Sequence, residues 1–241
     1  QAKIVKKHTT NWYKCGTGPY LVDEFQAGVK STHVRNPNYW RDTGQHLDSM
    51  EITAITDPNA RLNALLAGSV DMITAISAKM IKKLESSGLN VLSVPAGVYG
   101  GICCLKNTAP GDNDDLVQGL RYIQDRERIV RKFLKGHGTL GNDHPINISY
   151  GADHCHELPQ IPYDPDKAKW HLNKSGYSTA ELFVAPVSGA IEDTCLLMQA
   201  NLKKIGFDLK LKKVPTDGYW GAVWMKEPLN VVSWNMRPTA N

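Results

Sequence analysis

Residues 191–212 read IEDTCLLMQANLKKIGFDLKLK. The run from Ile191 to Ile205 carries apolar side chains at helical spacing, and Gly206 follows as a terminator, so a helix is expected there. Beyond the glycine, Phe207, Leu209 and Leu211 alternate with Asp208, Lys210 and Lys212. A period of two with one apolar face describes a half-buried strand. A helix that stops at a glycine and passes at once into a strand places the chain in the α/β class.

The same punctuation recurs to either side. Asp57-Pro58 followed by Ala60, Leu62, Leu65 and Leu66 reads as a cap, a first-turn proline and an apolar face, with Gly68 closing the helix. Val70-Asp71-Met72-Ile73 then reads as a short buried strand. A second helix is expected from Asp114 to Lys135, on the spacing of Leu116, Leu120, Ile123, Val130 and Leu134, with Gly136 beyond its end. Asp164-Pro165-Asp166 opens another, which ends before Gly176. Val231-Val232-Ser233-Trp234 reads as a core strand, and the few residues after it suggest a piece of a longer chain. No internal repeat or low-complexity segment interrupts this order. The stretch 97–111, with Gly100-Gly101 and Pro110, is the expected crossover between two lobes.

The chain has 241 residues, 41% of them hydrophobic and 22% charged, as in an ordinary globular protein. No apolar run approaches the ~20 residues that span a bilayer. The first ten residues are polar and basic, not a signal-type apolar core. The net charge of +4 is spread over small lysine clusters at 203–204 and 210–213, which argues for solvated faces over a nucleic-acid surface. The five cysteines (Cys15, Cys103, Cys104, Cys155, Cys195) are odd in number and lack a CxxC pair, against a dense disulfide framework.

Catalytic signatures are missing: there is no GxSxG and no HExxH. The run Asp153-His154-Cys155-His156-Glu157 holds metal-ligating residue types, but His154 and His156 alone do not complete a site, and a polar surface loop is expected. Asp125 and Arg128, three apart on the expected helix, read as a surface ion pair.

Near the start, Gly16-Thr17-Gly18-Pro19-Tyr20 is a tight turn into an extended segment, and Arg35-Asn36-Pro37-Asn38-Tyr39-Trp40-Arg41 is a strand end and proline turn. With Asp57–Ile73 (DPNARLNALLAGSVDMI), Tyr122–Val130 (YIQDRERIV), Gly136-His137-Gly138 with Pro145, and Tyr163–Lys169 (YDPDKAK) with Gly176-Tyr177, they stand in one order. That order resembles the family 5 extracellular solute-binding proteins, the peptide- and nickel-type receptors of ABC importers. Full members are about twice as long, so the chain resembles their middle part.

The resemblance implies a class II periplasmic-binding-protein-like, two-lobed α/β fold, incomplete here. Residues 1–104 would belong to the later part of lobe I and 105–241 to the opening part of lobe II. It implies a binder and not an enzyme: a periplasmic or otherwise extracytoplasmic, monomeric receptor that captures an oligopeptide or other small organic solute and delivers it to an ABC permease. Neither a cofactor nor nucleic acid is implied. The alternative from another class is a scaffold or interaction domain on the same fold. The resemblance places ligand contacts at Tyr219, Trp220, Trp234, Asn235 and Arg237, with Trp224 a less favoured neighbour; Tyr99 and Gly100 join them from the crossover, where Gly100-Gly101 reads either as a hinge or as an ordinary turn. Peptide-binding members resemble one another in carrying an acidic residue three positions after the equivalent of Trp234, where it pairs with the ligand's amino group. Arg237 stands there instead, which implies an anionic group on the ligand.

Overall fold

The computed structural model describes residues 16–94 and 96–237. Cys15, the basic N-terminal decapeptide and Pro238 lie outside them. The chain divides into two compact units, 1–74 and 75–241.

In the first unit, β1 (Tyr20–Gln26), β2 (Lys30–Arg35) and β3 (Ser49–Thr53) form an antiparallel meander in that order. The two motifs near the start of the chain meet here through the buried Asn36. Its backbone N–H donates to Pro19 O at 2.9 Å and its side-chain amide donates to Gly18 O at 2.9 Å. Its side-chain oxygen accepts from Asn38 N at 3.0 Å, which makes the proline turn after β2. A buried asparagine with every group engaged staples the two loops together. Helix α1 (Pro58–Leu66) is capped as expected, Asp57 accepting from Ala60 N at 2.7 Å, and Gly68 follows at φ +70°. The strand expected at 70–73 is absent: these residues pair with no strand, and Met72 is 78% exposed.

The second unit holds α2 (Ile81–Ser86), β4 (Tyr99–Cys104), α3 (Asp114–Tyr122), α4 (Arg126–Arg128), α5 (Pro165–Ser175), β5 (Thr179–Val184), α6 (Ile191–Lys204), β6 (Asp208–Lys213), α7 (Tyr219–Ala222) and β7 (Leu229–Trp234). Its sheet runs β4-β7-β5-β6. β5, β6 and β7 are parallel, and β4 is antiparallel to β7. The central β7 is buried over Leu229–Val232, as a strand covered on both faces must be. β6 lies at the edge, where Lys210, Lys212 and Lys213 make a poor template for further pairing. The core packs α3 (Leu116, Leu120), α5 (Leu172) and α6 (Cys195, Met198, Leu202) against β5 and β7.

The compact units divide at 74/75, while the lobe crossover read from the sequence lies near residues 97–111. β4 pairs along its length with β7, from Tyr99↔Trp234 to Cys104↔Leu229, and so joins the second unit. The single helix expected over 114–135 is in fact three pieces. Asn113, not Asp114, caps α3, accepting from Leu116 N at 2.8 Å. Asp125 starts α4 by accepting from Arg128 N at 3.1 Å, so it is a cap and not half of a surface ion pair. A π-turn, Ile129–Phe133, follows. Arg126 instead reaches Asp143 at 2.6 Å, with Arg121 on the same carboxylate at 3.0 Å. Helix α5 keeps its expected bounds and α6 ends one residue early, at Lys204, with Ile205 as its C-cap; Gly176 and Gly206 are both at positive φ.

No helix of the described residues is long and apolar enough to cross a membrane. The four described cysteines are free thiols.

Candidate functional site

Parallel strands that end on one rim leave a crevice outside their carboxyl ends, where backbone groups and loops are free for a ligand. In the second unit that rim carries the β5–α6 loop (185–190), the residues after β7 (235–237) and the turn leading to α7. Because β4 runs the other way, it begins on the same rim, and Tyr99 faces Trp234 across the ladder. Topology therefore gathers Tyr99, Gly100, Trp220, Trp234, Asn235 and Arg237 from three distant parts of the sequence.

The indoles form an edge-to-face ladder. Trp220 and Trp224 have ring centroids 6.0 Å apart at 74°, and Trp224 and Trp234 are 5.9 Å apart at 72°. These are favoured quadrupole geometries. Trp220 is 46% exposed and Trp234 41%, so the ladder presents large apolar faces to solvent. Trp224 bridges the two, and its indole N–H is buried with no acceptor among the described residues.

Tyr219 is not on this surface. It is 1% exposed, and its hydroxyl donates to Val231 O at 2.7 Å. Burial pushes its phenol up to about 12. With its ring in the core and its one polar group engaged, Tyr219 holds α7 to β7 and offers a ligand nothing.

Gly100 is a close-packing position. A Cβ there would lie 2.6 Å from Ser188 Oγ, so glycine lets the β5–α6 loop press onto β4. Asn235 and Arg237 are exposed, and Arg237 has no ion-pair partner among the described residues. Its backbone N–H donates to Tyr150 Oη at 2.9 Å, and Met236 N–H donates to Gly97 O at 2.9 Å. Tyr150 and Ser188 were not expected from the sequence. Ser188 was findable as part of a loop after a parallel strand, but Tyr150 sits in an irregular segment with no motif to mark it.

A cavity of about 300 Å³ shares Gly189 and Ala190 with the rim; Ile76, Ile81, Leu92, Phe133 and His137 line it further. The histidine run is packed: His154 lies 5.1 Å from His144 and 4.7 Å from His156, ring to ring. Among the described residues no group of three histidine, cysteine or carboxylate side chains is arranged to hold a metal ion. Burial pushes the Cys104 thiol up to about 11 and the Cys195 thiol up to about 12, so neither supplies a thiolate at neutral pH.

The sequence pattern of the bacterial extracellular solute-binding proteins, family 5 middle region, matches residues 2–240. The chain belongs to this family. Among its relatives, heme-binding protein A of Haemophilus influenzae is 30% identical over 221 residues, which cover 85% of this chain and 38% of the relative. Dipeptide-binding protein of Pseudomonas aeruginosa is 25% identical over 214 residues, covering 86% of this chain and 40% of the relative. The chain thus spans about two-fifths of the length of these curated relatives. In three dimensions it is similar to NikZ of Campylobacter jejuni, solved with Ni(L-His), with a TM-score of 0.78 and 19% identity over 92% of this chain and 46% of that one. It is also similar to DppA of Helicobacter pylori, solved with the peptide STSA (TM-score 0.76, 19% identity, 94% of this chain and 44% of that one). These likenesses establish the family 5 binding-protein fold, of which the chain is about half.

Proposed function

We propose that this chain is part of an extracytoplasmic receptor of an ABC importer, and that its rim forms one wall of the binding site for a small organic anion. The observation that carries the reading is the exposed Trp220–Trp224–Trp234 ladder with Arg237 three residues beyond Trp234. Indole faces bind flat or apolar surfaces, and a guanidinium offers a carboxylate two parallel hydrogen bonds. Tyr99 and Asn235 supply further polar contacts, and Gly100 keeps the floor between them low.

Heme, dipeptides and glutathione, which name several relatives, all carry carboxylates. The ligand of this receptor is of the same chemical class. In the whole protein it would lie between two lobes, with this rim as the wall that one of them contributes. Contacts made only in the closed form would favour closure, and the permease would recognise that form.

The test is titration calorimetry on the intact receptor with heme, di- and tripeptides, glutathione and Ni(L-His)₂. At least one carboxylate-bearing ligand is expected to bind. Arg237→Ala is expected to weaken that ligand about tenfold or more, the range for a lost hydrogen bond to a charged group. Undiminished affinity in Arg237→Ala would remove the anionic-ligand reading, and silence across the whole panel would remove the receptor reading.

A further inference from the structure

The segment 144–156 contributed nothing to the site read from the sequence, yet it touches the rim at two places. Asn147 caps its short 3₁₀ turn (Ile148–Asp153) by accepting from Ser149 N at 2.9 Å, and its side-chain amide donates to Gly97 O at 3.4 Å. Gly151 turns the chain back at φ +60° and ψ −117°, a conformation that favours glycine. The loop is closed at its base by His154, whose Nδ1 must carry the proton because it donates to Ile146 O at 2.7 Å. His144 stacks on that ring and His156 meets it edge to face. The histidine run therefore serves as a buttress, and what it holds in place is Tyr150.

The Tyr150 oxygen accepts the Arg237 N–H at 2.9 Å, while nothing among the described residues accepts the Tyr150 hydroxyl proton. Tyr99, on the first residue of β4, makes no hydrogen bond through its hydroxyl among the described residues either. Burial, and after it the nearness of Tyr150, push the Tyr99 phenol above its ordinary value, so it remains a donor at neutral pH. Tyr150 thus brings a phenol proton to the residue that carries a guanidinium without an ion-pair partner, and Tyr99 enters the same corner from the end of β4 that pairs with Trp234. Donors gathered without acceptors suit a group that only accepts, and an ionised carboxylate is such a group. A phenol oxygen already accepting an N–H is polarised toward donating its own proton.

We infer that Tyr150 is a specificity residue: its hydroxyl, held by the Arg237 backbone and the histidine-buttressed loop, donates with Tyr99 to the carboxylate of the ligand. This rests on the anionic-ligand reading above. Two phenols read the direction of the carboxylate lone pairs where a guanidinium alone reads mainly charge, and together they disfavour a neutral amide, which brings donors of its own.

The test compares wild-type receptor, Tyr150→Phe and Arg237→Ala by calorimetry with Ala-Phe-Ala as the free acid and as its C-terminal amide. If the panel identifies heme or glutathione as the ligand, that compound and its carboxyl ester replace them. Wild type is expected to prefer the acid. Tyr150→Phe is expected to lose about tenfold for the acid and almost nothing for the amide, with only a small change in melting temperature because the Arg237 N–H that loses its acceptor is exposed to water. A purely structural role would lower both affinities and the melting temperature together, and would overturn the inference. Full acid preference in Tyr150→Phe alongside its loss in Arg237→Ala would overturn the role of Tyr150 while leaving the anionic reading intact. A wild type that binds neither probe, or both equally, would overturn the reading and the inference together.

Discussion

Replacing Tyr219 with phenylalanine removes the hydroxyl that donates to Val231 O and is expected to cost about 1–2 kcal/mol in a denaturant titration, with ligand affinity unchanged. Trp220→Ala should do the reverse, weakening the ligand with little effect on stability, since its ring is half exposed. The two residues are adjacent in sequence, and nothing in the run Asp217-Gly218-Tyr219-Trp220 says which faces inward. On a helix of one turn, the inward face is chosen by what it packs against, here β7, and that is long-range information. Gly100 poses a similar problem. As a glycine before a glycine it looks like a turn or a hinge, yet it lies in a paired strand with Ser188 Oγ where a Cβ would clash. Gly100→Ala is expected to destabilise by about 1–3 kcal/mol. Adding Ser188→Gly should restore much of that in a double-mutant cycle. Additive losses in the cycle would show that Ser188 is not the obstacle.

At the scale of elements, the sequence was readable where the signal was local. Asp57 and Asp164 announce α1 and α5 because a cap needs only a short side chain three residues before the amide that it satisfies. The break between α3 and α4 was hidden because the spacing of Asp125 to Arg128 also fits an ion pair within one continuous helix. The choice was made elsewhere: the α3 end is held by Asp164 N–H donating to Tyr122 O, 42 positions along the chain. The strand read at 70–73 failed for want of a partner, which no apolar pattern can supply. The junction of α3 and α5 is tied by Asp115, which His171 Nδ1 meets at 2.8 Å and Lys174 Nζ at 3.1 Å. The hydrogen bond from His171 is the main cause that holds the Asp115 carboxyl below its ordinary range, against a smaller opposing effect of burial. A lowered folded-state value means that the carboxylate stabilises the fold above the unfolded value of about 3.9 and ceases to do so as pH falls through the folded value. Asp115→Asn should therefore melt below wild type at pH 7, and the gap should close as the pH falls below about 4. A gap that stays constant into acid would place its origin in packing and not in charge.

Taken as a molecule, the chain concentrates its burial in one unit. Among the described residues of 1–74 only Asn36 and Leu62 are buried, whereas the apolar core cluster lies entirely within the second unit. Expressed separately, residues 75–237 are expected to melt in one cooperative transition and residues 16–74 to show none, by circular dichroism. A cooperative melt of the smaller piece would show that its sheet needs no further covering. The α/β class was legible because helix stops and strand periods are local, and the family order was legible from motifs spread over the chain. The rim was legible only in part: Trp220, Trp234 and Arg237 lie near turn-like residues, but Tyr150 enters through a loop whose position no periodicity encodes. The ladder of three indoles at 6.0 and 5.9 Å has one more consequence, an optical one. Chromophores that close and steeply inclined share their excited states, so the near-ultraviolet circular dichroism of the protein should carry a coupled signal from this rim. A solute settling on the outer rings would alter that coupling, and the unlabelled protein would report its own occupancy.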